Sequence, residues 1–212
     1  MRFFVLRHNP QITEASTDFL PVTPVRVGEA PRCSHCGRFT GGLPWLSPHR
    51  VEMVVWGPRA GDIAFGPGES LLISEKLKRL FDDGALRGAS GFEAAEVART
   101  TWKQKRKFLS NYYHVAPEHA GARIDLARSH VEWADGPICP LCLQGSILKR
   151  VRGVRIDSNS WLRGDIFYAS GLPGTILVSQ SFRDRIERDG LLNCDCVDSE
   201  ALFSDFTPHA SG

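Results

Sequence analysis

Cys33-Ser34-His35-Cys36-Gly37 and Cys139-Pro140-Leu141-Cys142 decide how this chain is read. Each stretch offers two thiols separated by two residues, the spacing at which one tight turn presents both sulfurs to one metal. Zinc takes four ligands in a tetrahedron, so neither turn closes a site alone and the two together do. The 102 residues between the pairs far exceed the roughly 15–20 of a compact zinc ribbon. The expectation is therefore one structural Zn2+ held by Cys33, Cys36, Cys139 and Cys142, stapling two distant parts of the chain. Gly37 suits the end of such a turn, where a positive φ is needed. Pro31 and Pro137 stand two residues ahead of the first cysteine of each pair and stiffen the approach to each turn alike. A redox CxxC would open a helix. Here Gly37, Gly41, Gly42 and Pro44 break any helix after the first pair, and Gly145 and Ser146 interrupt the second.

The surroundings suit a reduced, metal-binding pair. The chain has 212 residues, 42% hydrophobic and 24% charged, an ordinary globular composition long enough to bury a core without a metal. A net charge of +2 is too mild to imply nucleic acid by itself. The apolar run Phe3-Phe4-Val5-Leu6 is too short for a signal-peptide core, and no stretch approaches the ~18 apolar residues of a membrane span. These features point to a cytoplasmic protein with no membrane partner, whose cysteines stay reduced.

Outward from the cysteines, the chain repeats itself. Trp56 is followed by Gly61-Asp62-Ile63, then Leu71-Leu72-Ile73-Ser74, then a helical pattern stopped by Gly84. Trp161 is followed by Gly164-Asp165-Ile166, then Ile176-Leu177-Val178-Ser179, then a helical pattern stopped by Gly190. The same 18-residue step separates Trp56 from Ser74 and Trp161 from Ser179. Both serines read as helix N-caps. Two copies of one module are expected, at about 25–88 and 131–193. The fold class is α+β: strand-rich, internally duplicated zinc-knuckle modules with few short helices. The divisions are 1–110, with the N-terminal strand and first knuckle, and 111–212, with the second knuckle, forming one pseudo-symmetric unit around one zinc. Strands are expected near residues 2–6, 51–56, 90–102, 112–115 and 122–126, with a frayed tail from Asp198.

No stretch reads as an active site. There is no P-loop, no dinucleotide fingerprint and no nucleophile elbow. His8, His35, His49, His114, His119, His130 and His209 are scattered. Asp62 and Asp165 read as Gly-Asp turns leading into strands rather than an acid–base pair. Cys194 and Cys196 read as free thiols. Lys103, Lys105, Arg106 and Lys107, with Trp102, Tyr112 and Tyr113 nearby, could serve phosphate contact and base stacking, but such a cluster is usually a solvated strand end. The chain is read as a non-enzyme, with a zinc-ribbon nucleic-acid binder as the second reading.

Two CxxC knuckles about 100 residues apart, each approached as Pro-x-Cys, resemble the myxobacterial double-CXXCG motif family, as does Gly91-Phe92-Glu93 with its following strand. Members of that family are regarded as cytoplasmic immunity proteins of swarming-inhibition toxin systems. The resemblance implies a cognate toxin protein as partner and carries over only the four knuckle cysteines. The first knuckle matches through Gly37. In the second, Leu143 stands where the pattern has Gly.

Overall fold

The computed structural model describes residues 1–8, 15–103, 110–119, 121–134 and 138–205. In chain order the elements are β1 (Phe3–Arg7), β2 (Thr17–Pro21), β3 (His49–Val55), β4 (Ile63–Phe65), β5 (Leu71–Ser74), α1 (Glu75–Asp82), β6 (Ala89–Trp102), β7 (Tyr112–Pro117), β8 (His130–Trp133), β9 (Leu148–Arg152), β10 (Ile166–Phe167), β11 (Leu177–Ser179), α2 (Gln180–Asp189), β12 (Asp195–Asp198) and β13 (Phe203–Asp205). The fold is a strand-rich α+β arrangement with two short helices among the described residues.

Alternation along the strands places the cores. In β3, His49, Val51, Met53 and Val55 are buried and the residues between them are more open, the period of two expected of a strand with one covered face. Val51 and Met53 join Phe19, Ala64, Leu72 and Tyr112 inside a closed barrel of order β2-β3-β6-β7-β5-β4. In β1, Phe3 to Leu6 are all buried, because both faces are covered. Phe4 and Leu6 enter one cluster with the helix residues Leu77, Phe182 and Ile186, while Phe3 and Val5 enter another with Phe167 and Leu177.

A second sheet runs β10-β11-β1-β12, and a third β13-β9-β8. Within the barrel, the run β4-β5-β7-β6 has the same order as β10-β11-β1-β12. The registers also correspond: Tyr112 faces Ser74 as Phe3 faces Ser179. Both central strands are antiparallel to their neighbours. The strands cross the division at 110/111 in both directions. β7 completes the barrel built on the first half, and β1 completes the sheet built on the second.

Each helix starts by the same device. The Ser74 hydroxyl accepts from the Leu77 N–H and donates to Asp62 Oδ1 at 2.6 Å. The Ser179 hydroxyl accepts from the Phe182 N–H and donates to Asp165 Oδ1 at 2.6 Å. Such a cap stabilises a helix by about 1 kcal/mol, and the aspartate fixes the serine rotamer. The aspartates also tie the halves together reciprocally. Asp62 N donates to Leu192 O, just past α2, and Leu192 N donates to Asp62 Oδ2, both at 2.8 Å. Asp165 N donates to Arg87 O, just past α1, and Arg87 N donates to Asp165 Oδ2 at 3.0 Å.

Two expectations are corrected. Residues 122–126 form no strand: Arg123 and Ile124 make single bridges to Ser170 and Ile156. The Asp125 side chain then accepts from the Ala127 N–H, an Asx turn that ends the extended run. The tail does not fray at Asp198. That residue closes β12, Ser199 donates to Val154 O, and β13 pairs with β9 through Phe203↔Arg152 and Asp205↔Arg150. Of the expected frayed tail, residues 206–212 lie outside the described residues.

Candidate metal centre

The two knuckles are built alike. In the first, Cys33 N donates to Arg38 O at 2.8 Å and Gly37 N to Cys33 O at 2.9 Å. In the second, Cys139 N donates to Gln144 O at 3.0 Å and Leu143 N to Cys139 O at 2.9 Å. The residue after the last cysteine has a left-handed backbone in both, φ +72° at Gly37 and +59° at Leu143. Leu143 therefore takes the same left-handed turn as Gly37. A side chain there costs roughly 1–2 kcal/mol. Leu143 offsets that cost by burying itself among Ile124, Leu172 and Phe167, since a buried leucine contributes about 1.5–3 kcal/mol.

The four cysteines expected as ligands are brought together. All four sulfurs lie within 4.8 Å of one another. Cys33 Sγ is 3.9 Å from Cys139 Sγ and Cys36 Sγ is 3.7 Å from Cys142 Sγ. Four thiolates at ~2.3 Å from a tetrahedral ion would sit about 3.8 Å apart, so the set could hold a metal ion. Cys33, Cys139 and Cys142 are buried, and Cys36 is partly open. Arg32 and Arg123 brace the turns by donating to Gly37 O at 3.0 Å and Pro140 O at 2.9 Å.

The electrostatics of the four sulfurs are uneven. The N–H groups of Cys36 and His35 hold the Cys33 thiol below its usual range. Those of Cys142 and Leu141 bring Cys139 down to about 6. Burial pushes Cys142 up to about 12, and its sulfur neighbours add to the push. Backbone dipoles thus favour thiolate at the first cysteine of each pair, while crowding opposes a full set of negative charges. A bound divalent cation would remove that opposition.

The other candidates stand apart. Cys194 and Cys196 are free and lie outside the sulfur cluster. Burial raises both thiols, Cys196 to about 12, which makes them poor nucleophiles. His35 sits in the first knuckle but is not among the grouped ligand atoms. His8 lies 3.4 Å from Asp18, His119 stacks on Tyr168, His130 is exposed at the start of β8, and His209 lies outside the described residues. Lys103 Nζ is 5.2 Å from the centre of the exposed Trp56 ring. Lys105, Arg106 and Lys107 lie outside the described residues. Tyr112, read as a stacking aromatic, is instead buried in the barrel.

Sequence reasoning missed one cluster. His49 and His114 stack with ring centres 4.2 Å apart, and Trp45 meets both edge-on. Burial holds both imidazoles below their ordinary range, His114 at about 4, and the adjacent His49 adds to its shift. Their positions in β3 and β7 are brought together only by the β3–β6–β7 pairing, so no local pattern announces them.

Neither models of known protein families nor curated proteins match this sequence. No helix among the described residues is long and apolar enough to cross a membrane.

Proposed function

We propose that this chain is a non-catalytic binding protein of the cytoplasm: an immunity protein that neutralises a cognate toxin and is held in shape by one structural zinc. The observation that carries this reading is the meeting of four sulfurs from two matched knuckles, Cys33/Cys36 and Cys139/Cys142. That pairing is what the resemblance to the double-CXXCG family rests on, and the left-handed Leu143 supports it at the one position where the sequence departs. Four thiolates suit zinc by softness and geometry. A set that fills all four tetrahedral positions leaves no room for substrate, which favours a structural role.

The reading extends to the origin of the fold. The matching strand orders β4-β5-β7-β6 and β10-β11-β1-β12 and the reciprocal Asp62–Leu192 and Asp165–Arg87 contacts support two copies of one module that exchange their leading strands. The zinc then sits at the joint between the copies, where residue i of one meets its counterpart in the other.

Two measurements test the proposal. Metal analysis of reduced, freshly purified protein should give one zinc per chain; two per chain would sink the shared site. A lipoprotein toxin gene is expected next to this one; where it is found, co-expression should rescue growth, and failure to protect would refute the immunity reading. The nucleic-acid reading is favoured by one feature: Arg32 lies 3.9 Å over the Phe39 ring in a hollow of about 440 Å3 beside the first knuckle. Salt-dependent binding of mixed-sequence RNA or DNA, lost in Arg32→Ala, would move the conclusion there.

A further inference from the structure

The four sulfurs of the knuckles are not equally reachable. Cys33, Cys139 and Cys142 are buried, whereas Cys36 is partly open. A hollow of about 440 Å3 lies beside the first knuckle, and Cys36 is the one member of the set on its lining, next to Gly37, Phe39 and Gln144. A small oxidant diffusing into that hollow meets Cys36 before the other three. Exposure of this kind selects which cysteine an oxidant attacks.

The geometry also favours pairing across the joint. Cys36 Sγ lies 3.7 Å from Cys142 Sγ and Cys33 Sγ 3.9 Å from Cys139 Sγ, so each cysteine meets its counterpart in the other knuckle. Reaching the ~2.05 Å of an S–S bond needs an approach of about 1.7–1.9 Å. The knuckles are separate turns, and one rigid-body approach shortens both gaps. Closure within a knuckle has to bend the turn itself. Cys33 N to Arg38 O and Gly37 N to Cys33 O hold the first turn in shape, and Cys139 N to Gln144 O and Leu143 N to Cys139 O hold the second. Nor does either knuckle open a helix, where a CxxC that oxidises within itself is found. The residue after each is left-handed, Gly37 and Leu143.

We propose that this set is a modification site for peroxide-class oxidants, which exchange the metal staple for two disulfides across the joint, Cys36–Cys142 first and Cys33–Cys139 second. The Cys36 thiolate attacks one peroxide oxygen; the O–O bond breaks, hydroxide leaves and a sulfenic acid forms. The Cys142 thiolate then attacks the Cys36 sulfur; the S–S bond forms and a second hydroxide leaves. Two thiolates have lost two electrons, and one peroxide has gained them and become two hydroxides. A second peroxide oxidises Cys33 and Cys139 in the same way. Zn2+ held by the four thiolates is released with its charge unchanged. The halves stay joined, now covalently. The modification rests on the shared site of the proposed function and not on the toxin.

The test treats the reduced full chain with hydrogen peroxide at increasing ratios, blocks the remaining thiols and maps the links by mass spectrometry of peptides, while a chromophoric chelator follows zinc. Peptides joined through Cys36 and Cys142 at low ratio, then through Cys33 and Cys139, support the proposal. The reverse order overturns the entry role of Cys36. Links within a knuckle, links between non-counterparts, sulfinic acids without links, or no link in excess peroxide overturn the proposal. Cross-joint links with no zinc released support it and count against the zinc reading, so the two fail separately. The linked chain should also melt at least about 5 °C above the reduced chain stripped of metal, since each link ties residues 106 apart in the unfolded chain. No gain in the thermal midpoint overturns the covalent staple.

Discussion

The first half carries the run β4-β5-β7-β6 on into a closed barrel by adding β2 and β3. The second leaves β10-β11-β1-β12 as an unclosed sheet among the described residues, with a single bridge from Phe167 to Glu118 on its β10 edge. The local chemistry is nevertheless the same on both sides: one aspartate, one capping serine, one helix and one knuckle each. Closure therefore does not come from the shared parts. It comes from β3 and from the long β6, whose first part pairs with β7 and whose later part pairs with β3. The differences sit where stability can diverge, as in a leucine turn against a glycine turn.

The strongest way to break this pairing is at the joint. Cys33→Ser and Cys139→Ser should each lower the thermal midpoint by about 10 °C, equivalent to roughly 3–4 kcal/mol in a chain of this size. The double variant should lose much less than the sum, because either change already ruins the shared site. Additive losses in calorimetry would mean two independent sites.

A smaller effect separates the two aspartates. Asp62 is buried and accepts from Ser74 and Leu192, while Asp165, equally engaged, is partly open. Asp62→Ala should cost about 3 kcal/mol and Asp165→Ala about 1.5 kcal/mol in urea unfolding. Equal costs would show that burial does not distinguish the halves.

The barrel should also be the acid-sensitive side. His114 faces Leu72 where Val5 faces Leu177, so only the barrel carries an imidazole at this place. Burial first, and then His49, bring His114 down to about 4, while Glu93 pulls the other way. A folded value below the free value of ~6.5 leaves stability whole above pH 6.5. It is lost as pH falls toward 4, where protonation favours the unfolded chain. His114→Leu should flatten the decline in urea midpoint between pH 6.5 and 4, and an unchanged slope would assign the decline to other groups.

The smallest change lies in the knuckles. Gly37→Ala meets no atom within 4 Å and should cost only the left-handed penalty, about 1 kcal/mol. Leu143→Gly relieves that penalty but empties a packed position, for a net loss of about 1–2 kcal/mol with the metal retained. A more stable Leu143→Gly chain would show that strain outweighs packing at this turn.

What the sequence made legible was local. Ser74 and Ser179 announce their helices because a cap needs only the next three residues. The CxxC pairs announce their sulfurs because the ligand spacing lies within one turn. That the two pairs come together was expected from counting ligands. The barrel, the placement of β1 between β11 and β12, and the His49–His114 stack depend on pairings between distant residues that leave no periodic trace. The left-handed backbone at Leu143 was hidden because leucine does not advertise a positive φ. The ordered stretch Ser199–Asp205 was hidden because its polar side chains bind the backbone and arginines rather than a core.

The placement of β1 has a consequence for synthesis. Its four consecutive apolar residues are made long before β11 and β12, the two strands that flank them. The second sheet cannot form around β1 until β11 and β12 have been made, and Phe3 to Leu6 must wait uncovered until then. Nascent chains of this protein should therefore depend on chaperones for as long as that strand waits for its partners.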